Sequence, residues 1–284
     1  MKFRKIGVVG AGVIGVGVAQ NFAQTAHAVV LVDISEDTLE RARKEIANAL
    51  KVASFYDVRV REACHNEILS RIEFTTDCLR LTQVDFVIEN STESWAIKES
   101  IYPRLDQICR SDCILAANTS AISITRLAAM TKRPDRVIGM HFMNPVPQKP
   151  VVEIVKGWHS SQETLGAAKE LLKQLGKRGI VVNDMPGFVS NRILMLAINE
   201  AIFVVQDKVA SPSDVDELLV NAFAHKMGPL ATADLIGLDT VLLTLDVLWQ
   251  SYNDSKFRAC PLLRQMVDAG LLGRKSGKGF FDYP

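Results

Sequence analysis

The run Ile6-Gly7-Val8-Val9-Gly10-Ala11-Gly12-Val13-Ile14-Gly15 limits what this chain can fold into more than any other segment. An apolar strand-like stretch breaks into Gly-x-Gly-x-x-Gly and continues as helix-compatible sequence. Each glycine answers a physical need. Gly10 permits a tight turn out of a strand, Gly12 lets backbone approach a pyrophosphate, and Gly15 lets the helix pack close to the sheet. Val13 and Ile14 open that helix, whose free N–H groups and positive dipole end suit phosphate.

The motif gains weight from its context. Ala28-Val29-Val30-Leu31-Val32 reads as a second buried strand, and Asp33 closes it eighteen residues after Gly15. This is close to the spacing of a carboxylate that accepts ribose hydroxyls of a dinucleotide. Ile34, not Arg, follows Asp33, so a 2′-phosphate would meet uncompensated negative charge, and the reading is NAD rather than NADP. Lys2, Arg4 and Lys5 before an apolar run also fit a secretory signal. Against that, Gly7, Gly10, Gly12, Gly15 and Gly17 would each weaken a signal helix by about 1 kcal/mol relative to Ala. A glycine-rich turn without ligand is the other alternative.

The chain has 284 residues, enough for one large or two ordinary domains. Its 48% hydrophobic and 23% charged content is that of a soluble globular protein, and a net charge of +1 speaks against a general nucleic-acid or membrane role. No apolar run reaches the roughly 18 residues of a membrane span. The five cysteines, Cys64, Cys78, Cys109, Cys113 and Cys260, are odd in number and lack metal or redox spacing. Cys109 and Cys113 fit one helix face, but Cys113 reads more simply as a small core residue. A cytoplasmic protein without metal is expected.

Short apolar strands alternate with helical segments in the first part. They include Asp85-Phe86-Val87-Ile88, Cys113-Ile114-Leu115-Ala116-Ala117 and Val137-Ile138-Gly139-Met140, with charged helical stretches at 37–50 and 96–109 between them. Such alternation predicts a doubly wound α/β parallel sheet covered by helices. Val151-Val152-Glu153-Ile154-Val155 is a further strand, apolar except for its central carboxylate. Past Ile180-Val181-Val182 and the Pro186-Gly187 break, helical patterns dominate, so an all-α domain follows. The expected boundaries are 1–184 and 185–284. The apolar density of 241–249 implies a buried helix or a subunit interface.

Polar groups that converge on a cofactor come from loops at the carboxyl ends of strands. Asn118-Thr119-Ser120 follows one strand and His141-Phe142-Met143-Asn144-Pro145 another. An imidazole titrates near neutrality, which suits His141 to take a proton from an alcohol. Glu153 would orient it and stabilise its cation, and Ser120 would hydrogen-bond the reacting oxygen. Each also has an ordinary structural reading. His141 fits a satisfied core histidine, Glu153 a loop residue, and Ser120 the N-cap of a helix over 122–129.

Together with Glu153, several ordered motifs carry a resemblance that spans nearly the whole chain. These are the Gly10–Gly15 turn, Asn118-Thr119-Ser120, the 139–147 segment Gly-Met-His-Phe-Met-Asn-Pro-Val-Pro, and the 186–192 segment Pro-Gly-Phe-Val-Ser-Asn-Arg. Met227-Gly228-Pro229-Leu230, the 234–240 segment and the 273–281 tail continue it. The sequence resembles the 3-hydroxyacyl-CoA dehydrogenase family, which includes bacterial 3-hydroxybutyryl-CoA dehydrogenases. The resemblance implies a Rossmann-type NAD domain followed by a helical domain that dimerises. It assigns the catalytic pair to His141 and Glu153 and the substrate-oxygen contacts to Ser120 and Asn191. Cofactor contacts fall on Asp33, Glu93, Lys98, Ser120, Asn144 and Lys275. Without it, Lys98 and Lys275 read as solvated surface charge.

The sequence departs from the family pattern in three places. The serine and lysine that contact coenzyme A in the family fall on Ala49 and Tyr56. Asn90 replaces a small apolar residue in Glu89-Asn90-Ser91-Thr92-Glu93, and His225-Lys226 precede Met-Gly-Pro. A subgroup of the family oxidises hydroxyacyl groups on acyl carrier protein in polyketide extender-unit synthesis, where a CoA lysine is not needed. Arg59 and Arg61 would then face an acidic carrier. The expected substrate is a hydroxyacyl thioester on CoA or on acyl carrier protein. A non-catalytic NAD-binding structural protein is a more distant alternative, because the family includes a lens crystallin.

Overall fold

The computed structural model describes residues 3–55 and 65–283. The chain divides into two compact units, Met1–Asp184 and Met185–Pro284.

The first unit is built on an eight-stranded sheet. Its strands are β1 (Lys5–Val9), β2 (Ala28–Val32), β3 (Ile72–Thr75), β4 (Phe86–Glu89), β5 (Ile114–Ala117), β6 (Val137–His141), β7 (Val151–Lys156) and β8 (Arg178–Asn183). Their spatial order is 3-2-1-4-5-6-7-8. The first six are mutually parallel, the doubly wound order with its switch point between β1 and β4. Strands covered on both faces must be apolar throughout, and Phe86, Val87 and Ile88 of β4 are fully buried.

The helices of this unit are α1 (Val13–Gln24), α2 (Glu36–Ala53), α3 (His65–Ser70), α4 (Trp95–Ile108), α5 (Ile124–Ala128) and α6 (Gln162–Gln174). The start of α2 follows from Ser35, whose hydroxyl accepts the Thr38 amide proton at 3.2 Å. Its buried residues Leu39, Ala42, Ile46, Leu50 and Ala53 recur every three or four positions, the stripe of a helix laid on a sheet. Ser123, not Ser120, caps α5 through the Arg126 amide, which leaves the Ser120 side chain for other partners.

One expectation needs correction, and one strand was not anticipated. The sheet is not wholly parallel: β7 runs antiparallel to β6, and β8 is parallel to β7. Only residues 142–150 join β6 to β7, too few for the crossover of roughly a dozen residues that a parallel return requires. The edge strand β3 is the one not anticipated. Of its four residues only Ile72 is buried, so the apolar signal that marks central strands is missing. Cys113 is the small core residue expected, and it shares no helix with Cys109, since Cys109 follows α4 and Cys113 precedes β5. Both are buried, and a thiol–thiol hydrogen bond holds Cys109 below the usual thiol range and pushes Cys113 well above it.

The second unit is helical: α7 (Ser190–Gln206), α8 (Pro212–Phe223), α9 (Pro229–Ile236), α10 (Leu238–Tyr252) and α11 (Pro261–Asp268). Ile198, Ile202, Leu230, Leu245 and Leu263 belong to its core. Asp234, 1% exposed, accepts the amide protons of Phe280 and Phe281 and the Tyr283 hydroxyl, which pins the tail to α9. In α10, Val241, Leu245 and Leu248 are buried, whereas Leu243 and Trp249 are exposed.

Candidate active site

The glycine turn joins β1 to α1. Gly10 has φ +93°, and a Cβ there would stand 2.8 Å from the Asn90 carbonyl, so only glycine fits. A Cβ on Gly15 would run into the Gly10 carbonyl oxygen. Around Gly12, by contrast, a Cβ would meet nothing within 4 Å. Gly12 is also the N-cap of α1, a helix with no side-chain cap. Open space thus lies at the positive end of a helix whose first amides have no side-chain cap among the described residues, as a diphosphate site requires. Val13, highly exposed, and half-buried Ile14 form the first turn.

Asp33 lies just beyond β2. Its Oδ2 accepts the Ala11 amide proton at 2.8 Å and its Oδ1 the Ser35 amide proton at 3.1 Å. The carboxylate is thereby tied to the glycine turn from the neighbouring strand. Asp33, Gly10, Gly12, Asn90, Ile97 and Ile101 help line a cavity of about 450 Å³, within the usual range of cofactor pockets. Apolar α4 side chains against one wall and a carboxylate at the rim suit an adenine with its ribose. The residues present fit NAD.

The second cluster lies at the ends of β5, β6 and β7. His141 closes β6, and Glu153 sits directly opposite on β7. Glu153 is therefore a strand residue and not part of a loop. His141 Nδ1 lies 2.8 Å from Glu153 Oε2, with both residues buried. A carboxylate can only accept, so Nδ1 carries the proton and donates it. In the neutral ring this leaves Nε2 as the basic nitrogen, 3.2 Å from Ser120 Oγ. The structure thus brings together Glu153, His141 and Ser120 in one hydrogen-bonded chain, the arrangement of an oriented base beside a hydroxyl.

The remaining expected contacts are more dispersed. Glu93 is exposed, and its Oε1 accepts from the Thr119 hydroxyl and from the Ser120 and Ala121 amides. It fixes the backbone of the loop that presents Ser120. Asn144 is exposed in the loop after β6, beside the cis Asn144–Pro145 bond. Lys98 is not the solvated lysine that charge alone suggests. It is fully buried on α4 and donates to Glu89 Oε2 at 2.7 Å, with the Ser91 carbonyl 3.4 Å away. It stands behind the 90–92 segment that lines the cavity. In the second unit, exposed Lys275 pairs with Asp239 of α10, and half-buried Asn191 lies in the first turn of α7.

Two partners were not anticipated. Glu89 ends an apolar strand with one carboxylate, the same signal that singled out Glu153. The Asn118 amide, which donates to Asn90 and accepts from Phe142, had no sequence signal beyond its place after a strand. Cys64, Tyr56, Arg59 and Arg61 lie outside the described residues. Among the described residues no group of three or more His, Cys, Asp or Glu is placed to hold a metal ion, and no helix is long and apolar enough to cross a membrane.

Comparison with known proteins agrees with this geometry. Residues 5–185 match the NAD binding domain of 3-hydroxyacyl-CoA dehydrogenase, and residues 187–283 match its C-terminal domain. The chain is 43% identical over 287 residues to a probable 3-hydroxybutyryl-CoA dehydrogenase of Bacillus subtilis, covering 100% of this chain and 98% of that one. It is 42% identical to 3-hydroxybutyryl-CoA dehydrogenase of Clostridioides difficile, covering 98% and 99%. The crystal structure of (S)-3-hydroxybutyryl-CoA dehydrogenase from Ralstonia eutropha superimposes with a TM-score of 0.93 at 43% identity, over the full length of both chains. The chain belongs to the 3-hydroxyacyl-CoA dehydrogenase family and is an oxidoreductase that acts on a CH–OH group with NAD.

Proposed function

We propose that this protein oxidises the hydroxyl of a short 3-hydroxyacyl-CoA, with His141 as the general base. The observation that carries this reading is the Glu153–His141–Ser120 chain at the ends of β7, β6 and β5. Bound NAD supplies the hydride acceptor for the carbinol carbon. His141 Nε2 takes the hydroxyl proton, and Ser120 Oγ, beside that nitrogen, holds the reacting oxygen. Glu153 stays paired with the imidazolium that forms, so the buried charge keeps a partner. The family resemblance assigns Asn191 a second contact to the oxygen, and Asp33 holds the adenosine ribose. Glu93 and Asn144 are further cofactor contacts, Lys98 supports the cavity wall from behind, and the family resemblance assigns Lys275 to the cofactor as well. The names of the curated relatives support the CoA ester. NADH formation from (S)-3-hydroxybutyryl-CoA tests the reading, and absence of turnover with any short hydroxyacyl thioester would overturn it in favour of a non-catalytic NAD-binding protein.

One observation favours a second substrate form. Ala49, near the end of α2, has neither hydroxyl nor cation to offer a CoA phosphate. A hydroxyacyl group on acyl carrier protein, as in polyketide extender-unit synthesis, does not need that contact. Turnover of one acyl group on CoA and on carrier protein separates the two, and a strong preference for CoA removes the carrier reading.

The second unit is proposed to serve substrate binding and homodimer formation in the cytoplasm. Ile193, Leu218, Phe223 and Leu243, large apolar side chains on three helices of this unit, are each more than half exposed on the single chain, and exposed apolar side chains are what a subunit interface would cover. Sedimentation equilibrium tests this: a monomer at micromolar concentration would overturn it.

A further inference from the structure

Asn90, Asn118 and Phe142 are each the first residue past three neighbouring parallel strands, β4, β5 and β6. Hydrogen bonds run sideways through them. Asn90 Nδ2 donates to the Ile88 carbonyl at 2.8 Å, Asn118 Nδ2 donates to Asn90 Oδ1 at 2.8 Å, and the Phe142 amide donates to Asn118 Oδ1 at 3.1 Å. Phe142 directly follows His141. The two ends of this chain are backbone groups whose character cannot change: a carbonyl that only accepts and an N–H that only donates. A primary amide can turn over at little cost when its partners are ambiguous. Here neither amide can flip without breaking bonds at both of its ends.

We propose that Asn90 is a positioning residue for the dehydrogenase reaction, acting through Asn118 to fix the backbone that carries the His141 imidazole. The proposal rests on His141 being the base. Asn90 is the natural origin of such a relay because it is anchored on the cofactor side. Its amide donates to the Val9 carbonyl at 2.6 Å, its carbonyl packs on the Gly10 turn, and it lines the 450 Å³ cavity. From there the relay crosses to the end of β6, where Asn118 Oδ1 accepts the Phe142 N–H. Removing the Asn90 side chain leaves the Asn118 amide free to rotate. The Phe142 amide then loses a fixed acceptor, and the distance from Nε2 to the substrate oxygen is no longer set. Catalysis is steep in that distance: a misplacement of about 1 Å costs on the order of 10²-fold in rate.

The test is a double-mutant cycle on kcat at saturating substrates, with N90A, N118A and N90A/N118A. NADH affinity is read from nucleotide fluorescence and folding from the melting temperature. Because both residues act through one chain, each single variant is expected to lose about tenfold in kcat and the double variant no more than about threefold beyond the worse single. NADH affinity can fall in N90A, because Asn90 lines the cofactor cavity, but should change by less than about twofold in N118A, which lies outside that lining. N90D keeps an acceptor toward Asn118 but sets its other carboxylate oxygen against the Ile88 carbonyl, so it is expected to recover only part of the kcat lost in N90A. Multiplying losses in the double variant, unchanged kcat in N90A, or a loss confined to NADH affinity would each overturn the proposal. If N90A does not fold, N90D and N118A decide it, and equal kcat in the two would overturn it. H141A distinguishes the underlying reading: if it stays active, the base is wrong, whereas inactive H141A with normal N90A removes the relay alone.

Discussion

Glu89 divides its buried carboxylate between two donors, Lys98 Nζ at 2.7 Å on Oε2 and the Ser91 amide at 2.6 Å on Oε1. The lysine and glutamate side chains are 0% and 1% exposed. Two charges so far from water persist only while each satisfies the other. K98A should therefore lower stability by about 3–5 kcal/mol, the cost of leaving one partner of a buried pair uncompensated. The variant K98M/E89Q should recover a large part of that loss. Chemical denaturation of the three proteins checks this, and a double variant as unstable as K98A would refute it.

The His141–Glu153 pair makes a separable prediction. H141A should lose roughly 10²–10⁴ in kcat, the usual worth of a general base, with NADH affinity near that of the unaltered protein. E153Q keeps a hydrogen-bonding group near Nδ1 but removes the negative charge beside the imidazolium. It should lose about tenfold or more, equivalent to 1.4 kcal/mol of transition-state stabilisation. Steady-state kinetics with fluorescence titration of NADH reads both effects.

Gly10 and Gly12 are two residues apart but should respond in opposite ways. G12A adds a methyl to open space, so its melting temperature should stay close to that of the unaltered protein while NAD affinity falls at least tenfold, because the methyl occupies diphosphate space. G10A must place a side chain at φ +93° against the Asn90 carbonyl. It should lose about 1–3 kcal/mol of stability, the usual cost of a strained backbone residue. Thermal denaturation and NAD titration of both variants give the comparison.

Tyr102 carries a pH prediction. Its hydroxyl is buried and finds no hydrogen-bond partner among the described residues. Burial, together with the nearby Glu89 carboxylate, pushes the phenol well above its ordinary value. In the folded protein the phenol stays protonated, whereas in the unfolded chain it ionises near pH 10. The unfolded state therefore binds fewer protons at alkaline pH, and stability is complete below about pH 10 and falls as pH rises through it. Y102F should remove that part of the alkaline decline. It should also raise stability near neutrality by about 1 kcal/mol, since an unsatisfied buried hydroxyl is lost. Denaturant midpoints at neutral and alkaline pH provide the measurement.

Much of this was legible in the sequence because the features are local. The Gly10–Gly15 turn, the buried runs of β1, β2, β4 and β5 and the end of β2 at Asp33 each follow from short-range sterics and burial. Glu153 was legible for a related reason, as a carboxylate in an apolar strand stands out. What stayed hidden depends on contacts distant in sequence. Lys98 reads as a surface lysine until β4 places Glu89 against α4. Ser120 reads as a helix cap until Ser123 takes that role. The reversal of β7 follows from the shortness of the 142–150 link. The Asn90–Asn118 bond joins residues 28 apart and leaves no trace in composition or periodicity.

The antiparallel pairing of β6 with β7 has one more consequence. His141 meets Glu153 because the ladder sets them opposite each other, not because of the length of the connection between them. Residues 142–150 can therefore gain or lose members over evolutionary time without separating His141 from Glu153, provided the pairing holds. A slip of a single position in that pairing would turn the carboxylate to the other side of the sheet and silence the enzyme with its fold intact.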